Sequence, residues 1–249
     1  MELFSVLATC AALAVGNGTP ADNVQISQKD CAAAQQAYKT ALQTVQLTQL
    51  ERDAIARVTI AEAANQGDSG LAGVVYTVLN RLISGKFGAS VEDVVNAPRQ
   101  FEPVTKAGGQ WENLPPVSVA QLSKVETIIN LALDGHLPDL TNGALFFQNP
   151  AIVGQREKAG TVSRGLTNFG GSQPSAVIKD HSFYASIGKS ENATASDAPV
   201  VLSAHVQQPK SWDIYGKSKL AKRQNAASWN VFSSGQRNGD VYAVNKEEN

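Results

Sequence analysis

The sequence predicts an α+β fold: a mainly helical domain with a small antiparallel sheet, plus extended terminal segments. Three observations predict it. Between Asp30 and Leu133 apolar residues recur at spacings of three and four, the period of a helix with one buried face. Two short runs rich in aromatic and β-branched residues, 144–150 and 176–185, read as strands able to pair in one small sheet. Residues 189–249 are rich in Ser, Ala, Asn, Lys and Gln and hold neither period.

At 249 residues, 43% of them hydrophobic, the chain is long enough for one good core with appendages. Its net charge of −1 gives no support for a role centred on nucleic acid. Two cysteines, Cys10 and Cys31, are too few for a disulfide scaffold. They pair in an oxidising compartment or stay free, and spacing alone leaves both open.

Residues 4–15 form an apolar run too short to span a bilayer, so no integral membrane span is expected. The run suits an export signal, with Ala12-Leu13-Ala14 as a cleavage-like triplet, yet no basic residue precedes it. The alternative is a packing segment kept in the mature chain. Residues 16–26 read as a linker. A helix follows from Asp30, with Ala34, Tyr38, Ala41, Leu42 and Val45 on one side. Thr48 with Glu51 is a capping-box pattern that opens the next helix, where Ile55, Val58 and Glu62 share a face. Asp68 or Ser69 is expected to cap a third helix, whose stripe is Leu71, Val74, Val75, Val78, Leu79 and Leu82 and whose stop is Gly85. Ser90 with Asp93 opens a shorter one. Residues 97–117 read as a long Pro- and Gly-rich loop. Ser118 with Gln121 then caps a helix through Leu133 that ends at Gly135. The organisation expected is therefore an N-terminal segment and helix over 1–48, a central domain over 49–188, and a C-terminal arm over 189–249.

Glu62 stands out chemically. A carboxylate on an apolar stripe is costly unless it has a task. Apolar neighbours and the negative end of its helix both raise its proton affinity. A carboxylic acid still protonated near neutral pH is what a glycosidic general acid requires. The tetrapeptide Gly67-Asp68-Ser69-Gly70 matches the nucleophile motif of trypsin-like proteases, but no histidine precedes His136, so that reading fails. No second His or Cys sits at metal-ligand spacing and no phosphate-binding glycine pattern occurs, so neither metal nor cofactor is expected.

Four blocks carry a family resemblance over about half of the chain. They are Ile55-Ala56-Arg57 running into Ala61-Glu62-Ala63; Gly70 to Val75 leading to Val78-Leu79-Asn80-Arg81; Phe87, Val91, Val94 and Val95 followed by Gln100-Phe101; and Gly143 to Pro150, completed by His181-Ser182-Phe183-Tyr184. In this order they resemble the SleB-like cell wall hydrolases, the spore cortex-lytic enzyme family. The resemblance implies a lysozyme-like domain that cuts peptidoglycan between N-acetylmuramic acid and N-acetylglucosamine, with Glu62 as its acid. Gln100 and Asn149 are the candidates to bond acetamido groups, Phe101 and Phe147 to stack on a sugar face, and His181 to orient Glu62 or cap the sheet. Asn80 and Arg81 brace the loop carrying Gln100 or face solvent. For a second carboxylate Glu102, Glu112, Asp93 and Asp180 are available, although a lytic transglycosylase needs only one. Only Phe169 supplies an aromatic ring between 151 and 175, a departure from family members that carry tryptophan there. The expected partner is peptidoglycan, in the periplasm, outside the cell or in the cell envelope. The alternative is a phage-tail or envelope-assembly component held through the C-terminal arm.

Overall fold

The computed structural model describes residues 3–14 and 26–188. The expected arm over 189–249 and most of the expected linker lie outside them. Helix α1 (Leu3–Ala14) packs on α2 (Gln28–Thr44), burying Phe4 edge-on against Tyr38, with ring centroids 6.1 Å apart. Cys10 and Cys31 form a disulfide joining the two helices. Of the two states left open by the spacing, the paired one is present. Helix α2 starts two residues earlier than the Asp30 expected, because Ser27 and Asp30 build a reciprocal cap.

Helix α3 (Gln49–Ala63) opens on the Thr48–Glu51 capping box, as its sequence indicates. Helix α4 (Gly67–Ser84) is the centre of the molecule: every residue from Gly70 to Arg81 is buried. Helices α3, α5 (Val91–Asn96) and α7 (Val119–Leu133) pack around it. Asp68 and Ser69 do not cap α4. They lie inside its first turn, after an N-cap at Gln66 that makes no side-chain bond. Gly85 does end the helix, at φ 65°, where a side chain is disfavoured. The stretch 97–117 is not plain loop. It holds α6 (Glu102–Lys106) and a 3-10 turn at Trp111–Asn113, both docked on α3. Trp111 is buried under the Arg57 guanidinium, which lies 5.3 Å from the ring centre and is itself paired with Asp53 at 2.7 Å.

The sheet has three strands, one more than the sequence suggests: β1 (Phe146–Gln148), β2 (Ala176–Ile178) and β3 (His181–Tyr184), in the order β1-β3-β2, all antiparallel. The single strand expected over 176–185 is a hairpin, turned at Lys179 with φ 51°. Phe147 faces Phe183, and Ile178 faces His181. Between β1 and β2 runs α8 (Pro150–Lys158), which buries no residue and therefore leaves no apolar period to read. The four-residue segment α9 (Asn168–Gly171) is irregular, with Phe169 at φ 46°. The expected mostly helical architecture with one small antiparallel sheet is therefore present.

Asn80 and Arg81 connect the helices to the sheet. Neither faces solvent: they are 0% and 2% exposed. The Asn80 amide donates to Asp139 Oδ2 (3.0 Å) and to the Ala144 carbonyl (3.1 Å), and its oxygen accepts from the Tyr38 hydroxyl (2.6 Å). Arg81 Nε donates to the Leu145 carbonyl at 2.7 Å. Asp139 in turn accepts from the Thr141 and Gly143 amides. The pair thus pins residues 139–145, the approach to β1. Its hold on the Gln100 stretch is indirect, through the ring of Phe101.

Candidate active site

Glu62 lies in the last turn of α3, on the face that also carries the fully buried Ile55 and Val58. Its carboxyl group is half-buried where α3 ends against α6 and the C-terminal half of α4. Burial is the largest influence on it, and the carboxyl pKa is pushed up to about 7. The Glu102 backbone amide works against that rise and the Glu102 carboxylate adds to it. Arg81 and Lys106, both cationic, moderate it.

Glu102 is held in the opposite state. Arg156 grips it with two parallel hydrogen bonds, Nη1 to Oε2 at 3.0 Å and Nη2 to Oε1 at 2.9 Å, and Lys106 reaches Oε1 at 2.7 Å. Those donors, Arg156 first, pull its pKa down to about 2. Neighbouring carboxyl groups are therefore held apart in proton affinity, one neutral and one ionised across the mildly acidic range. Of the other acids considered, Asp93 is spent on the Ser90 cap and Asp180 accepts from Gln66 at 3.1 Å.

The aromatic candidates separate. Phe101 has no exposed surface and is not a sugar platform. Its ring lies under the Arg81 guanidinium, 4.8 Å from ring centre to Cζ, and against Phe147 at 6.2 Å. Phe147 is half-buried, stacked on Phe183 at 5.7 Å with His181 edge-on at 5.3 Å. His181 itself is 7% exposed, and burial lowers its pKa. It packs edge-on against these two rings, with Asp180 the charged neighbour that opposes the fall. Gln100 precedes Phe101 and is half-buried. Asn149 caps α8, its side-chain oxygen accepting from the Ile152 amide at 3.1 Å. The sequence gives this away after the fact: Asn followed by Pro is an N-cap and first-turn pair.

Sequence reasoning passed over Lys106 and Arg156 as parts of this site and gave Arg81 only a brace for the Gln100 loop or a place in solvent. For Arg81 a signal existed. Helix α4 is apolar nearly all round, which marks an interior helix and forces any cation in it to be buried. Arg156 left no such trace, since only the fold brings α8 to α6.

Residues 65–184 match the family described as Cell Wall Hydrolase. No curated protein and no solved structure matches the chain. Glu62 stands just ahead of the matched segment, at the close of the helix that packs on it.

Proposed function

Over residues 65–184 the chain belongs to the SleB-like cell wall hydrolases, a glycan-strand-cleaving family, and from that premise we propose that it cuts peptidoglycan at the bond from N-acetylmuramic acid to N-acetylglucosamine as a lytic transglycosylase. Glu62 is the acid. Its proton passes to the bridging oxygen as the bond from that oxygen to the muramic C1 breaks, the bonding pair leaving with the oxygen. The Glu62 carboxylate then accepts the proton of the muramic C6 hydroxyl while O6 bonds to C1. The product carries a 1,6-anhydro ring and no water is consumed.

One observation carries this reading: Glu62 is a half-buried carboxyl whose surroundings push its pKa up to about 7, so that it can give and retake one proton at neutral pH. The state of Glu102 supports one acid over two. A hydrolytic mechanism asks a second carboxylate to attack C1 or activate water. Both Glu102 oxygens already accept charged hydrogen bonds, which weakens them as nucleophile or base. The half-buried Phe147 is the sugar-stacking candidate that retains exposed surface. Gln100 is assigned to an acetamido group, as is the amide nitrogen of Asn149, whose oxygen is committed to α8. The disulfide fits an oxidising compartment such as the periplasm or the cell exterior. No described helix is long and apolar enough to cross a membrane.

The test is mass spectrometry of purified peptidoglycan after digestion. Muropeptides ending in 1,6-anhydromuramic acid are expected, and none with Glu62→Gln. Reducing ends would replace transglycosylation by hydrolysis. Cleavage by a folded Glu62→Gln protein would remove Glu62 from the mechanism.

A further inference from the structure

Arg81 is an unusual group to find at the centre of a helical core. Its guanidinium is sandwiched between two aromatic faces, Phe87 at 4.7 Å and Phe101 at 4.8 Å from Cζ. Its Nε is spent on the Leu145 carbonyl at 2.7 Å. Its Nη1 is buried with no hydrogen-bond partner. A buried charge with a donor left over is expensive, and packing alone does not call for one.

The direction of the group supplies the reason. Phe101, the ring beneath Arg81, is followed directly by Glu102, whose backbone amide addresses the Glu62 carboxyl. Arg81 therefore bears on Glu62 twice. It fixes the backbone that carries the amide, and it places a cation beside the acid. We propose that Arg81 is the positioning residue of the proton donor, a clamped cation that steadies the Glu62 carboxylate formed when the glycosidic bond breaks. The inference rests on the role given to Glu62 above. The spare Nη1 donates to no atom of the described residues, Glu62 included, so Arg81 acts on the carboxyl as a charge through space, and that attraction appears once the proton leaves and the carboxylate forms. The other charged groups facing Glu62 are Glu102 and Lys106 of α6, and Arg156 reaches it only through Glu102.

The experiment compares wild type with Arg81→Met, Arg81→Lys and Phe87→Leu. It reads kcat against pH on peptidoglycan, the Glu62 carboxyl titration by carbon-13 NMR, and the fold by circular dichroism. Arg81→Met is expected to lower kcat about a hundredfold. It is also expected to move the alkaline limb and the Glu62 titration upward by about one pH unit, because a stabilising cation has gone. Arg81→Lys keeps the charge and is expected to restore the limb and part of the rate. If Arg81→Met does not fold, Phe87→Leu decides, since that ring is only half-buried; freeing one side of the clamp shifts limb and titration the same way by less. A folded Arg81→Met, or in its place Phe87→Leu, with both readings unmoved would make Arg81 a packing residue and overturn the proposal. An inactive wild type would sink the glycan-cleavage reading alone, because the NMR titration still reports whether Arg81 governs Glu62.

Discussion

Replacing Glu62 with glutamine should abolish cleavage and at the same time make the protein more stable, by an amount that grows with pH. In the folded chain burial first, with the Glu102 carboxylate adding to it, lifts the Glu62 pKa from 4.5 to about 7. The folded state therefore holds a proton that the unfolded state has already released between those values. Stability consequently falls as pH rises from 4.5 through 7, and the full penalty stands above 7. At ~1.4 kcal/mol per pH unit the penalty is on the order of 3 kcal/mol, and somewhat less where water reaches the half-buried carboxyl. Glutamine is nearly isosteric, stays neutral, and keeps an oxygen for the Glu102 amide. Urea unfolding at pH 4.5, 6 and 8 measures the difference between the two proteins, in which all other titrating groups cancel. The variant should match wild type at pH 4.5 and exceed it by about 2–3 kcal/mol at pH 8. A difference that is flat with pH, or that favours wild type at pH 8, would show that Glu62 is not a buried acid and would remove the basis of the mechanism.

Glu102→Gln removes the anion beside Glu62, so the alkaline limb of activity should move to lower pH while 1,6-anhydro products persist; loss of all cleavage in a folded variant would instead make Glu102 a second catalytic carboxylate. Asn80→Leu takes a partner from the Tyr38 hydroxyl, Asp139 and the Ala144 carbonyl at once, leaving the hydroxyl only its 3.2 Å bond to Asp139, and should cost about 1–3 kcal/mol in chemical denaturation. Gly73→Ala raises helix propensity by ~1 kcal/mol, yet its Cβ would sit 2.6 Å from the tip of the fully buried Phe183 ring. A net loss of about 1–2 kcal/mol is expected, and a raised Tm would contradict the helix-to-sheet packing described. Replacing Cys10 and Cys31 together by serine should cost ~3 kcal/mol and make stability indifferent to reductant. Two thiols reacting in native, unreduced protein would contradict the pairing.

What could be read from the sequence follows from how far each determinant reaches along the chain. Capping boxes span four residues, and those at Thr48, Ser90 and Ser118 place α3, α5 and α7. Glu62 was legible because it interrupts an apolar face within its own helix. The third strand was missed because its turn uses Lys179 in the left-handed region, where glycine or asparagine would have announced it. Helix α8 was missed because nothing buries it. Its hold on the body includes the Arg156–Glu102 pair, across 54 residues. The cysteines lie 21 residues apart, a separation that fits a bond or two free thiols equally well.

The same contrast bears on how the site works. The acid itself is a local feature, but its proton affinity is not. Burial comes from the packing of α3 on α4 and α6, and the opposing cations come from α4 and α6. Arg81 sits in α4 between the rings of Phe87 and Phe101, and those rings flank α5, which packs on α4, and α6, which packs on α3 and α5. Losing any of these contacts changes the surroundings of Glu62 before it changes Glu62. Damage to this core should therefore appear first as a displaced pH profile and only later as unfolding. A donor that needed nothing but its own helix would keep its profile until the whole domain melted.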